Sequence, residues 1–248
     1  NIVLDLVFII NFKMGVEGAA QATVISQYVS GIGITIYALA KSSHFRIKCK
    51  HLKFDISIIK ELANLSILTA LQQSVMNFGI LLVQGLVNSF GTVVMAAFAA
   101  AVKIDTLAYS PVQDFGNAVS TFVAQNYGAG KHRRIKDGWK QSMIAASVFC
   151  VCVSAVVFIF AEKFMGLFVT NGDEIIKVGA GYLRIEGTFY IGIGILFLLY
   201  GFYRAVQKPE MSLVLTIISL GTRVVLAYAL SAIPKIGVIG IWISVPIG

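Results

Sequence analysis

Residues 62–102 contain no Asp, Glu, Lys or Arg. A helix needs about 20 apolar residues to cross the hydrocarbon core of a bilayer, so this run is roughly twice one crossing. It must therefore traverse, turn and traverse again, and Asn88-Ser-Phe-Gly91 is the turn-like cluster inside it. Further apolar stretches flank it at Gly18 to Ala40, Gln141 to Ala161, Val178 to Tyr203 and Met211 to Leu230, and another begins at Gly237. Residues 1–12 read as the end of an earlier helix, and the sequence reads as a fragment cut at both ends. Charged residues make up 13% of the chain, about half of what soluble domains carry, which excludes a soluble enzyme, a disordered protein and a nucleic-acid binder. The expectation is an all-α polytopic membrane protein whose partner is the lipid bilayer.

Helices are expected at 1–12, 18–40, 60–84, 92–125, 139–161, 176–204, 210–231 and from 237 onward, with Pro111 kinking the fourth. The connections alternate in charge. Lys41, Arg46, Lys48, Lys50 and Lys53 fill one, Lys131, Arg133, Arg134, Lys136 and Lys140 another, and Arg204 and Lys208 a third. The opposite connections hold Lys13, Lys163, Lys177 and Lys235. By the positive-inside rule the first set is cytoplasmic, and the net charge of +8 is mostly loop charge that fixes orientation in the cell membrane. A zinc site at His44, Cys49 and His51 has no support from ligand spacing. The three cysteines read as small apolar residues, and Asn171 with Glu174 as a capping box opening the sixth helix.

The start of the chain matches its end at an offset of 222 residues. Lys13-Met-Gly15-Val-Glu-Gly18 aligns with Lys235-Ile-Gly237-Val-Ile-Gly240, and Val3-Leu4 with Val225-Leu226. Six helices separate the copies, so both have the same orientation, as in transporters built from two parallel bundles. Residues 1–41 then belong to the first bundle, 42–58 to a basic cytoplasmic linker, and 59–248 to the second bundle.

Several motifs resemble the multidrug and toxic compound extrusion (MATE) transporters. Lys103-Ile-Asp105 through Tyr109-Ser-Pro111, Gln113-Asp-Phe-Gly116-Asn117 and Gln125-Asn-Tyr127-Gly-Ala-Gly130 resemble that family's eighth helix and following loop. Gly15-Val-Glu-Gly18 through Ser26-Gln27 resembles its sixth helix, and Tyr182-Leu-Arg184-Ile its tenth. The resemblance implies helices five to twelve of a twelve-helix antiporter. It implies export of organic, often cationic compounds, coupled to Na⁺ or H⁺ with no other cofactor. Some members carry acidic residues in helices seven and ten; here the sequence reads Leu71-Gln72-Gln73-Ser74 and is apolar near Ile193, so those roles do not transfer. A lipid-linked oligosaccharide flippase of the wider superfamily and a non-transport structural or receptor-like bundle are the alternatives. Intramembrane enzyme chemistry lacks parts, since no histidine lies in a span. A monomer is expected.

Ionisable residues within a span cost several kcal/mol unless they face a cavity or a partner, so each is a candidate for the transport pathway. At 1.5 Å per residue, Lys103 lies about 16 Å below the outer turn, and Gln72, Gln73 and Asn77 lie at a similar depth. Asp105 is two residues from Lys103, about 200° around the helix, and needs a partner elsewhere. Arg223 is the candidate partner for Asp105 or Glu186, and Tyr190 can hydrogen-bond or hold a cation on its ring. Lys103 would repel a cationic substrate, so it reads as a structural or counter-ion residue. The hypothesis is that Asp105 or Glu186 changes protonation or partner during transport.

Overall fold

The apolar stretches fold as helices throughout, and the computed structural model describes residues 1–41, 55–169 and 172–248. Among the described residues there is no strand. Helices α1 (Ile2–Leu6), α2 (Gly15–Lys41), α3 (Ile56–Asn88), α4 (Thr92–Gly128) and α5 (His132–Phe168) are followed by α6 (Asp173–Thr188), α7 (Tyr190–Ala205), α8 (Pro209–Ser231) and α9 (Val238–Ile247). A π-helical turn, Val7–Asn11, continues α1. Five of these helices are long and apolar enough to cross a membrane, and α6 with α7 passes the same test as a bent pair. The chain divides into Asn1–Ile58 and Ile59–Gly248. The basic cluster Arg46, Lys48, Lys50 and Lys53, with His44, Cys49 and His51, lies outside the described residues.

Within the first unit, α2 buries Gly18 and Ala22 and turns the rest of its apolar surface outward. Gly15 opens it at φ +59, a left-handed conformation that glycine adopts without a Cβ clash. Gly237, its counterpart at the offset of 222, has φ +51 at the start of α9. The likeness extends to packing. A Cβ on Gly18 would meet the Cβ of Phe8 at 3.1 Å, and one on Gly240 would meet the Cβ of Leu230, the residue matching Phe8, at 2.7 Å. The two copies of the repeat therefore share backbone conformation and close contact.

In the second unit α4 packs against α5, α6 and α7, while α9 packs on α6, α7 and α8. Phe98 and Trp242 stack with centroids 5.5 Å apart, and Tyr182 stands edge-on to both. Small residues bring α4 and α7 into backbone contact: a Cβ on Gly116 would lie 2.9 Å from the Phe197 carbonyl oxygen. Large apolar side chains such as Leu107, Ile159 and Phe158 point outward, the arrangement expected where the surroundings are lipid.

Turn chemistry sets the ends. Gly91, at φ +98, closes the predicted turn between α3 and α4, and Pro209 occupies the first turn of α8. Asp55 precedes α3 and accepts hydrogen bonds from the Ser57 hydroxyl and amide, which hold its carboxyl below the usual range. α3 starts at Ile56, inside the expected linker, so residues 56–58 are helical. α4 and α5, with 37 residues each, outrun the hydrocarbon thickness and carry their ends beyond it.

One expectation is corrected. Residues 176–204 are not one helix: α6 and α7 meet at Phe189 with a bend of 55°. A straight helix would bond the Gly187 carbonyl to the Ile191 amide; here the Ser154 hydroxyl on α5 donates to it at 2.6 Å. The Thr188 hydroxyl donates to the Arg184 carbonyl at 2.7 Å. α4, by contrast, continues helically through Pro111. Ser154→Ala removes the donor from the Gly187 carbonyl and is expected to lower stability by about 1 kcal/mol, read as a shift in the unfolding midpoint in mixed micelles.

The predicted capping box pairs Asn171 with Glu174. The N-cap of α6 is Gly172 and makes no side-chain cap, while Asn171 lies outside the described residues. Asp173 and Glu174 occupy the first turn, where the helix dipole favours negative charge. An exposed ion pair, Arg184 to Glu162 at 3.0 Å, ties α6 to α5. Glu162→Gln is expected to change stability by less than about 0.5 kcal/mol in the same unfolding assay, because solvent screens such pairs.

Candidate functional site

α4 places Asp105 one turn before Tyr109, and α6 places Glu186 one turn after Tyr182, so each helix presents a carboxylate and a phenol on one face. These four side chains, with Arg223 from α8, line a cavity of about 90 Å³. Asp105 and Glu186 are 3% and 4% exposed. The Tyr190 hydroxyl, one residue past the break, donates to Asp105 Oδ1 at 2.5 Å. The break thus lets one interrupted span deliver Glu186 from its first half and Tyr190 from its second.

Three polar atoms here have no hydrogen-bond partner among the described residues: Asp105 Oδ2, Glu186 Oε2 and Arg223 Nε. Buried polar atoms are nearly always paired, by protein or by ordered water, so three unpaired atoms around one cavity make it the candidate site. The volume suits about three waters at roughly 30 Å³ each, or a small cation with part of its shell. Arg223 makes no ion pair within 4.0 Å of either carboxylate; the ion pair between Arg184 and Glu162 is the only one among the described residues. With both carboxyls ionised, two negative charges face one guanidinium, so the cavity can take up one positive charge and become neutral.

Two more cavities continue from it toward the basic end of the bundle. The first, about 160 Å³, shares Tyr109, Glu186 and Arg223 with the acidic cavity and adds Gln113 and Thr216. The second, about 60 Å³, shares Gln113 and Tyr200 with the middle one and reaches Gln72, Gln73, Asn117 and Arg204.

The sequence-derived candidates therefore separate into groups. Asp105, Glu186, Tyr190 and Arg223 come together, and Gln72 and Gln73 line the far cavity. Lys103 and Asn77 stand on exposed faces of α4 and α3 and line none of these three cavities. Tyr109, Tyr182, Gln113, Asn117 and Arg204 were not among the candidates. The signal for three of them was present: Asp105, Tyr109, Gln113 and Asn117 recur every four residues, a polar stripe that winds about 40° per step around α4, from buried Asp105 to exposed Gln113 and Asn117.

The chain has relatives among known proteins. The sequence pattern of the MatE family matches residues 67–229, a stretch that holds every residue lining these cavities except Val245. The chain belongs to the MatE family. Within it, the chain is 30% identical over 225 residues to "Probable multidrug resistance protein YpnP" of Bacillus subtilis, covering 88% of this chain and 48% of that protein. It is 26% identical to "Probable multidrug resistance protein NorM" of Thermotoga maritima, covering 98% of this chain and 53% of that protein. The chain thus spans about half the length of these curated relatives.

Solved structures of MATE transporters share the fold. A multidrug resistance MATE family transporter in an outward-facing conformation superposes with a TM-score of 0.91 at 24% identity, covering 99% of this chain and 55% of that one. A MOP superfamily transporter from Pyrococcus furiosus gives 0.91 at 24%, covering 99% and 56%. The expected all-α, multi-pass MATE architecture is thereby established.

Proposed function

We propose that this chain is the second bundle, with the last helices of the first, of a secondary multidrug exporter in the cell membrane. In this reading the protein expels organic, often cationic compounds in exchange for an inward-moving cation, Na⁺ or H⁺, by alternating access. It acts as a transporter and not as an enzyme, as a monomer embedded in the bilayer. The single observation that carries the reading is the acidic cavity. Two buried carboxylates face one unpaired guanidinium across a space of about 90 Å³, which leaves room and charge for one cation. Occupancy by that cation and outward release of substrate then alternate because both draw on the same conformational equilibrium.

The names of the relatives support drug efflux, since NorM and YpnP are both described as multidrug resistance proteins. A lipid-pyrophosphate flippase would need a strongly cationic groove, whereas Arg223 is the sole cation lining the acidic cavity. The test is expression of the full-length protein in a host lacking its own efflux pumps. Resistance to a panel of lipophilic cations is expected to rise at least fourfold. Unchanged resistance across the panel, with the protein detected in the membrane, would contradict the reading.

A further inference from the structure

Arg204 lies one residue from the end of α7, beside the connection that the charge pattern assigns to the cytoplasm. A long cationic side chain in such a place ordinarily reaches outward for water. This one turns back along its own helix. Nε donates to the Tyr200 carbonyl one turn earlier at 3.3 Å, and Nη2 donates to Asn117 Oδ1 on α4 at 3.1 Å. Those contacts use two of the five guanidinium N–H groups, and no carboxylate among the described residues lies within 4.0 Å of them. Glu61 on α3 and Asp114 on α4, the acids nearest in sequence to the residues around Arg204, do not line the cavity it faces.

That cavity, of about 60 Å³, is an open site at the surface of the bundle. Gln72 and Tyr200 form its buried part, and Gln73, Gln113, Asn117 and Arg204 its exposed rim. Gln72, Gln73 and Gln113 make no hydrogen bond to any described residue. Elsewhere α3 and α4 expose Phe78 and Leu107, as a lipid-facing surface does. A rim of three carboxamides and a guanidinium on the same bundle is therefore turned to water. Its unused donors and its single positive charge call for a small anionic acceptor, and the space holds about two water-sized groups at roughly 30 Å³ each.

We propose that this cavity binds the carboxylate of a transported compound, so that the substrates include amphiphiles carrying both an amine and a carboxylate. The proposal rests on the exporter reading for the source of its ligand. Guanidinium and carboxylate are both planar and pair through two parallel charge-assisted hydrogen bonds. The carboxamides donate to the remaining lone pairs of the carboxylate and add no charge that would compete with Arg204. A methyl ester of the same compound is neutral at that end and has one oxygen blocked, so it forfeits the pair.

The experiment measures binding of two fluorescent probes to the full-length protein in detergent: a zwitterionic rhodamine with a free benzoate, and its cationic methyl ester. The wild type is expected to bind the acid at least about tenfold more tightly than the ester. Arg204→Gln should weaken the acid at least about tenfold and leave the ester within about twofold. Gln113→Leu, which removes one donor and no charge, should weaken the acid about threefold and gives a second reading if Arg204→Gln does not fold. Lys208→Gln removes a cation beside the site and should leave the preference intact. Equal binding of acid and ester by the wild type, or no binding of either, would overturn the proposal. So would a preference that survives both Arg204→Gln and Gln113→Leu, or one that Lys208→Gln abolishes equally. Displacement of the acid by phosphatidylglycerol at equal concentration would assign the guanidinium to a lipid phosphate and overturn the carboxylate. A preference for the acid with no extrusion of either dye from cells would instead overturn the exporter reading and leave the site standing.

Discussion

Glu186→Gln, in the full-length protein, is expected to reduce gradient-driven substrate flux at least a hundredfold, and Asp105→Asn to do the same. Both substitutions keep size and hydrogen-bonding shape while removing the charge that the cavity offers to a cation. Asn at position 105 still accepts the Tyr190 hydroxyl, so the contact across the break survives and the loss reports charge and not collapse. With either carboxylate neutral, one negative charge faces Arg223, the cavity is balanced before any cation arrives, and the drive for uptake is gone. Substrate binding, measured separately by fluorescence in detergent, should persist in both variants. Flux at the wild-type rate in both would remove the carboxylates from the mechanism.

The second large effect is structural. Gly116→Val is expected to abolish recovery of folded protein, seen as loss of the monodisperse peak in size-exclusion chromatography. A Cβ at Gly116 would lie 2.9 Å from the Phe197 carbonyl oxygen, and a Cβ on Gly201 would strike the Gly116 carbonyl oxygen in return. Backbone stands on both sides, so no side chain can swing away, and the helices must separate. The cost exceeds the 1–3 kcal/mol typical of an overpacked core and falls on the α4 and α7 contact that aligns Gln113 and Asn117 with Tyr200 and Arg204. Gly128→Ala is the matched control. Nothing lies within 4 Å of its Cβ position, and alanine favours the helix by up to about 1 kcal/mol, so yield should be unchanged or higher.

The helices and the turn between α3 and α4 were legible because burial in lipid imposes long uncharged runs, and one too long for a single crossing must contain a turn. The break at Phe189 was not. It sits inside an apolar run with no proline, and Ser154, which takes the freed carbonyl, belongs to another helix distant in sequence. Pro111, by contrast, stands inside α4, which is helical on both sides of it.

At the site, depth was readable and direction was not. Rise per residue placed Lys103, Asp105, Gln72 and Asn77 at similar levels, but only packing decides which way each side chain turns. Asp105 and Lys103, about 200° apart, went to opposite faces: one is buried among tyrosines, the other stands on the exposed side of α4. The periodicity that separates them also picks out Tyr109, Gln113 and Asn117 behind Asp105. A stripe at intervals of four was therefore the better guide than depth alone.

The central claim is coupling between substrate and a cation at the acidic cavity. Its most direct measurement uses the full-length protein in liposomes that enclose a pH-sensitive and a sodium-sensitive dye. An outside substrate gradient is imposed, and cation movement is followed with no ion gradient present at the start. The account predicts that substrate entry drives cation exit at a fixed ratio, and that Glu186→Gln eliminates this movement. Substrate entry with no cation movement, or cation movement unchanged in Glu186→Gln, would contradict it.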